Sequence, residues 1–205
     1  QKRHGLAYKR AHEIVAGPDF GSVIQIESKM HGFTVFPTFY TCMLEWQCHN
    51  LDAVISFGGS ISEITARAHL TSASTGSLSA LLQFEDGATA TLGWGTYGGP
   101  GQYSERIEIL SDTGRGVIIE NARVVTSYDE EIGCQWTSDW NPISKNQSHV
   151  FNGYVGELLH FMQAARGEAE PLPSIQQEAR TMRWLSDMAQ SAGIPIEWAP
   201  VSSAL

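Results

Sequence analysis

The chain has 205 residues, 42% hydrophobic and 17% charged, with a formal net charge of -9. That length suits one domain whose folding takes roughly 70% of the unfolded surface out of water. The acidic balance argues against nucleic acid as a partner: the nearest basic group is Lys2-Arg3 with Lys9-Arg10, too few for a polyanion footprint. Cys42, Cys48 and Cys134 are odd in number and contain no C-x-x-C, so neither a disulfide framework nor a zinc site is expected, and a reducing, cytoplasmic compartment fits best. No apolar run reaches membrane-spanning length, and the first residues do not read as a signal peptide. The first residue is Gln1 rather than Met, so the chain is expected to be a piece of a longer protein.

Residues 6–17 predict a short helix, with Leu6, Ala7, Ala11, Ile14 and Val15 apolar and Gly17 as its stop. Pro18-Asp19 turns the chain, and residues 21–30 alternate as a strand through Val23, Ile24 and Ile26. An aromatic-rich loop, HGFTVFP, occupies residues 31–37. Residues 38–57, TFYTCMLEWQCHNLDAVISF, then predict one long helix that starts after Pro37, holds no Pro or Gly, and stops at Gly58-Gly59. At about 100° per residue, Glu45, His49 and Asp52 fall within roughly 60° of one another. Leu44, Cys48, Leu51 and Ile55 flank this stripe on one side, and Cys42, Trp46, Ala53 and Phe57 on the other. A helix apolar on both sides of an acid–base stripe should be mostly buried. Buried ionisable groups are costly unless paired, and such clusters often mark functional sites.

From residue 60 the apolar period changes to two. Residues 62–70 read as a strand; Leu78, Ala80, Leu82 and Phe84 then alternate with Ser77, Ser79, Leu81 and Gln83. Asp86-Gly87 is a hairpin turn, and the return strand puts Ala88, Ala90, Leu92 and Trp94 on one face and Thr89, Thr91, Gly93 and Gly95 on the other. After a glycine-rich loop at 97–102, residues 103–110 form the next strand, ending in Asp112-Thr113-Gly114. Shorter strands are expected at 116–120 and 123–128 about Asn121, and a weak one near 134–136 within a loop at 131–146. Residues 149–166 predict a helix packed through Phe151, Tyr154, Val155, Leu158, Met162 and Ala165, with Gly167 as its stop. Pro171 and Pro173 mark a linker, and Ser174 with Gln177 is spaced as a capping box. The helix it opens carries Ala179, Met182, Leu185, Met188, Ala189 and Ala192 and ends at Gly193; a last short strand is expected at 194–198. Strands in consecutive blocks rather than alternating with helices predict an α+β fold, with helices on one face of a large, mostly antiparallel sheet. The chain shows no G-x-G-x-x-G at a strand–helix turn and no P-loop.

This order of pieces resembles the C-terminal domain of the glucose–fructose oxidoreductase/inositol dehydrogenase/MocA (Gfo/Idh/MocA) family. The likeness is carried by Gly21-Ser22-Val23-Ile24-Gln25-Ile26 after the opening helix, and by His49-Asn50-Leu51-Asp52 running to Phe57-Gly58-Gly59. It continues through Leu82-Gln83-Phe84-Glu85-Asp86-Gly87-Ala88, then Glu105-Arg106-Ile107-Glu108-Ile109-Leu110 with Thr113-Gly114, and closes on Ser191-Ala192-Gly193-Ile194-Pro195-Ile196. The resemblance implies a glyceraldehyde-3-phosphate dehydrogenase-like C-terminal domain over residues 1–205, serving substrate binding and oligomerisation. It also implies an N-terminal nucleotide-binding domain outside this chain, NAD or NADP as cofactor there, and a sugar, polyol, cyclitol or related alcohol as substrate. The catalytic lysine would belong to that other domain, so the chain alone should be inactive. The sheet would form the interface of a homo-oligomer. His49 matches the family's catalytic histidine, and Glu45 stands where many members carry an aspartate four residues earlier.

Oxidising an alcohol sends a hydride to the nicotinamide and a proton to a base, and histidine suits the proton step because its pKa lies near neutrality. His49 is therefore the candidate acid/base, with Glu45 orienting the ring or binding a substrate hydroxyl. Asp52, His31, Phe33 and Tyr40 are candidates for holding substrate. The plainer readings are a core histidine tied to helix neighbours, Asp52 as a structural partner, and loop aromatics that only pack over the helix. A ligand-sensing or assembly domain of the same fold is the alternative to an enzyme.

Overall fold

A computed structural model describes residues 1–32, 36–97, 103–129, 133–137 and 148–196. Eight strands form one mixed sheet: β1 (Val23–His31), β2 (Ile61–Leu70), β3 (Gly76–Phe84), β4 (Thr89–Gly95), β5 (Ser104–Ser111), β6 (Gly116–Glu120), β7 (Val124–Tyr128) and β8 (Gly133–Thr137). Their spatial order is β2-β3-β4-β1-β5-β6-β7-β8. The β1–β4 pair is parallel, with Ile26 opposite Ala90, and the other neighbours are antiparallel. Parallel neighbours require a crossover. Here it carries α2 (Phe39–Cys42), a π turn (Met43–Gln47), α3 (Cys48–Gly58) and the β2–β3 hairpin. The long helix predicted at 38–57 is thus the start of the crossover between the two central strands.

The period of two sorts the faces. Ile26, Met30, Leu78, Leu82, Ala90, Leu92, Ile107, Ile109, Val117 and Ile119 are buried on one side. That core is closed by Tyr8 and Ala11 of α1 (Leu6–Val15), Leu51 and Val54 of α3, and Leu185 and Met188 of α6 (Ile175–Ser191). On the opposite side Glu27, Lys29, Ser79, Leu81 and Thr91 are half-buried or exposed. The fold is the predicted α+β arrangement, with helices on one face of a mixed, mainly antiparallel sheet. Local chemistry sets its turns. Asn121 and Ala122 have φ of 51° and 56° between β6 and β7, the paired positive values of a tight hairpin. Ser174 and Gln177 form the expected capping box, with bonds of 3.3 and 2.8 Å.

Three expectations need correcting. The helix predicted at 149–166 is split into α4 (Ser148–Phe151) and α5 (Tyr154–Ala165) by Gly153 at φ +89°. A Cβ on Gly153 would stand 2.2 Å from the Gln1 carbonyl, so the break is set by the close passage of the first residue. Nor is the apolar stripe of that helix buried: Phe151 is, but no residue of α5 is, and Leu158 and Phe161 are 64% and 67% exposed. Periodicity marks a face able to pack, but only a neighbouring element can cover it, and the neighbours of α5 are α4 and the 3-10 turn Lys2–His4 rather than the sheet. The last strand is also absent from residues 194–196, while 197 and 198 lie outside the described residues. Among the described residues no helix is long and apolar enough to cross a membrane.

Candidate functional site

The crossover helix opens on Thr38, whose Oγ1 accepts the Thr41 amide at 3.0 Å. It does not run as one α-helix. The Cys48 amide donates to the Met43 carbonyl, five residues back, which makes residues 43–47 a π turn. The extra residue in that turn rotates everything before it relative to α3. Glu45 and Asp52 are thereby spread around the axis: Glu45 is exposed, His49 half-buried and Asp52 buried. The stripe expected from uniform helical spacing is therefore opened at its N-terminal end. Gln47, inside the π turn, is fully buried, and among the described residues neither of its side-chain polar atoms has a hydrogen-bond partner.

Asp52 pairs with Arg3 rather than His49. Arg3 Nε lies 3.0 and 2.9 Å from the two carboxylate oxygens, and Nη2 lies 2.5 Å from Oδ1. This two-pronged clamp fixes the chain's first turn to α3 and uses the donors that a buried carboxylate requires. One residue away from His49 on the other side, Asn50 reaches into the core. Its Oδ1 accepts from Ser28 Oγ and Trp94 Nε1, both at 2.9 Å, and its Nδ2 donates to Glu105 at 3.2 Å. Glu105 also accepts from Lys2 Nζ at 2.6 Å and Tyr103 OH at 2.8 Å. Lys2 and Glu105 side chains are 4% and 1% exposed, so this is a buried ion pair with added hydrogen bonds. Burial and the Glu105 carboxylate together push the Tyr103 hydroxyl far above the usual tyrosine range.

His49 sits between these two clamps. Burial, then Lys2 and the terminal amino group, lower its pKa below the ordinary histidine value, while Asp52 and Glu157 act in the opposite sense. Its ring makes no hydrogen bond among the described residues. A neutral imidazole with an uncommitted lone pair can accept a proton near neutral pH.

The remaining predicted residues do not all join it. His31 ends β1 on the same strand parity as Glu27 and Lys29, the side opposite the helices, with its ring 5.3 Å from that of Tyr97. Tyr40 is buried beside Phe39 in the core, so it packs rather than lining a mouth. Phe33 lies outside the described residues. The sequence reading missed Lys2, Asn50, Trp94, Tyr103 and Glu105. A signal for part of this existed: Ser28 shares strand parity with buried Ile26 and Met30, and Glu105 with Ile107 and Ile109, so each is a polar residue on a core-facing position. Trp46 marks the same end of the sheet. Its ring is 5.6 Å from Tyr103 and would stand 2.2 Å from a Cβ on Gly32, so only glycine lets the indole lie there.

Residues 8–117, more than half of the chain, match the family model described as the GFO/IDH/MocA C-terminal domain. The chain belongs to the GFO/IDH/MocA family. No curated protein matches it. Its GFO/IDH/MocA fold recurs in a dehydrogenase from Chromobacterium violaceum, at TM-score 0.81 and 17% identity over 94% of this chain and 60% of that one. UDP-N-acetylglucosamine 3-dehydrogenase GnnA from Acidithiobacillus ferrooxidans superposes at 0.75, with 12% identity over 93% of this chain and 59% of that one. An oxidoreductase from Agrobacterium radiobacter, in complex with NAD+, L-tartaric acid and magnesium, gives 0.76 and 13% identity, with 93% and 60% covered. The chain spans about 60% of the length of these solved structures.

Proposed function

We propose that this chain is the substrate-binding and oligomerisation domain of an NAD(P)-dependent oxidoreductase acting on a sugar, polyol, cyclitol or related alcohol. His49 accepts the hydroxyl proton as the hydride leaves for the nicotinamide. The observation that carries this is the half-buried imidazole of His49, its pKa lowered by burial and without a hydrogen bond among the described residues, seated between the Arg3–Asp52 and Lys2–Glu105–Asn50 clamps. Both clamps act on α3 within three residues of His49, so they hold the ring's position; Asp52 then serves geometry rather than chemistry. Exposed Glu45, one turn earlier, is free to meet a substrate hydroxyl.

NAD or NADP does not fit the residues present here. The parallel β1–β4 crossover enters its helix at Thr38, which caps that helix with its own hydroxyl, and no glycine-rich strand–helix turn cradles a pyrophosphate. A separate nucleotide-binding domain would hold the cofactor, and the isolated chain would not oxidise alcohols. The sheet face carrying Glu27, Lys29, Arg67, Ser79, Leu81 and Thr91 would pair with a second subunit. Cytoplasmic location belongs to the same proposal.

The test is kinetic, in the full-length protein: His49→Asn should lower kcat by about 10²–10⁴-fold with little change in KM. Turnover near wild type would remove His49 from the chemistry. A second reading, a ligand-sensing domain without chemistry, is favoured by one feature: among the described residues no carboxylate is hydrogen-bonded to His49, because Asp52 is occupied by Arg3 and Glu45 is exposed. Sugar or polyol binding without turnover, with either nicotinamide cofactor present, would decide for it.

A further inference from the structure

A cavity of about 420 Å³ lies between the C-terminal half of α3, the start of β2 and α6; Arg3, Ser56, Gln177, Arg180, Arg183 and Trp184 are among its walls, and His49 is not. We propose that it binds a small organic oxyanion, a carboxylate or phosphate ester with an apolar body. This site is separate from the dehydrogenase reading and does not depend on it.

The argument starts from the spacing on α6. Thr181, Leu185 and Met188 turn into the core. Gln177, Arg180 and Trp184 follow one another at three and four residues along the adjoining stripe, and Arg183 lies one turn beyond Arg180. Arg180 and Arg183 are exposed and enter no ion pair or hydrogen bond among the described residues. Their surroundings do not cancel them. Arg3 and Asp52 neutralise each other, and the half-buried Glu178 side chain is not part of the cavity wall. Among the described residues Glu85 is the one acidic side chain in the cavity wall. Two uncommitted guanidinium groups against one carboxylate leave a local positive surplus in a chain of net charge -9.

Guanidinium forks match the two oxygens of a carboxylate or phosphate. The apolar part of the wall is formed by Ile55 and Ile61 across from α6 and by the Trp184 ring on α6 itself. The volume falls within the range of about 300–1,000 Å³ usual for small-molecule sites. An inorganic ion would leave the apolar wall wet, and a neutral hydrocarbon would leave both cations unused. An aromatic phosphate uses both halves.

Isothermal titration of this chain with phenyl phosphate tests the site, with phenol and inorganic phosphate as the two half-probes. Saturable one-site binding is expected, at a Kd of about 1 mM or tighter, with both half-probes weaker. Arg180→Gln/Arg183→Gln should raise Kd about tenfold or more at unchanged Tm, since both side chains are exposed. Glu85→Gln should tighten binding, and Arg166→Gln, on the exposed end of α5, should not change it. The proposal is overturned by absence of saturation up to about 10 mM. Equal binding by the Arg180/Arg183 variant, or equal weakening by Arg166→Gln, would also overturn it, the last marking mere charge screening.

Discussion

The most exacting consequence of this architecture concerns Glu105. Its buried carboxylate is the acceptor for three donors: Lys2 at 2.6 Å, Tyr103 at 2.8 Å and Asn50 at 3.2 Å. Glu105→Leu takes the acceptor from all three donors at once and leaves the Lys2 ammonium buried without a counter-charge. Breaking a buried pair from one side costs about 3–5 kcal/mol, against total stabilities of about 5–15 kcal/mol. For a chain of this size that corresponds to a Tm lower by roughly 6–20 °C. Lys2→Met should cost less, because Tyr103 and Asn50 still donate to the carboxylate. The double variant Lys2→Met/Glu105→Leu should recover much of the loss, since an apolar pair replaces the ions and only Asn50 Nδ2 and the part-exposed Tyr103 hydroxyl stay unpaired. Urea unfolding at neutral pH, followed by fluorescence and far-UV circular dichroism with coincident transitions, yields the cycle. A Glu105→Leu cost within about 1 kcal/mol of zero, or a double variant equal to the sum of the singles, would refute the buried pair as described.

Other outcomes follow from single residues. Burial, then Arg3, hold His12 down at about 4 from 6.5. Between those values the unfolded chain takes up a proton that the native imidazole refuses, so stability should fall as pH drops from 6.5 to about 4. The slope has a ceiling of about 1.4 kcal/mol per pH unit, reduced by partial solvent screening. His12→Phe, which keeps the stack on Phe57, should flatten this limb in urea titrations, and an unchanged slope would count against it. Burial, then Glu178, push the Cys48 thiol up to about 12, and Cys42 is buried, whereas Cys134 is exposed. Ellman's reagent at pH 8 should therefore find one fast thiol, lost in Cys134→Ser; a second fast thiol would contradict the burial of Cys42 and the raised pKa of Cys48. Gly58→Ala tests packing against propensity. Alanine would favour the helix end by up to about 1 kcal/mol, yet its Cβ would stand 2.3 Å from the buried Phe84 ring, so a net loss of about 1–3 kcal/mol is expected by thermal melting.

The sequence by itself determined the elements that depend on neighbours along the chain. Alternation placed Ala90, Leu92 and Trp94 on the buried face of β4, the capping box placed the start of α6, and Asp86-Gly87 placed a hairpin. These are readable because period, caps and positive-φ turns act over a few residues. The ordered motifs around His49 also pointed to the right family. Tertiary structure alone decided the partners. Asp52 meets Arg3, forty-nine residues away, and Glu105 meets Lys2 across a hundred and three, separations at which no spacing rule operates. The π turn was hidden for a related reason: a uniform 100° projection assumes the very hydrogen-bond register that residues 43–47 abandon. The exposed face of α5 shows the same limit from the other side, because an apolar stripe states what a helix can bury, and only the arrangement of the other elements decides whether anything covers it.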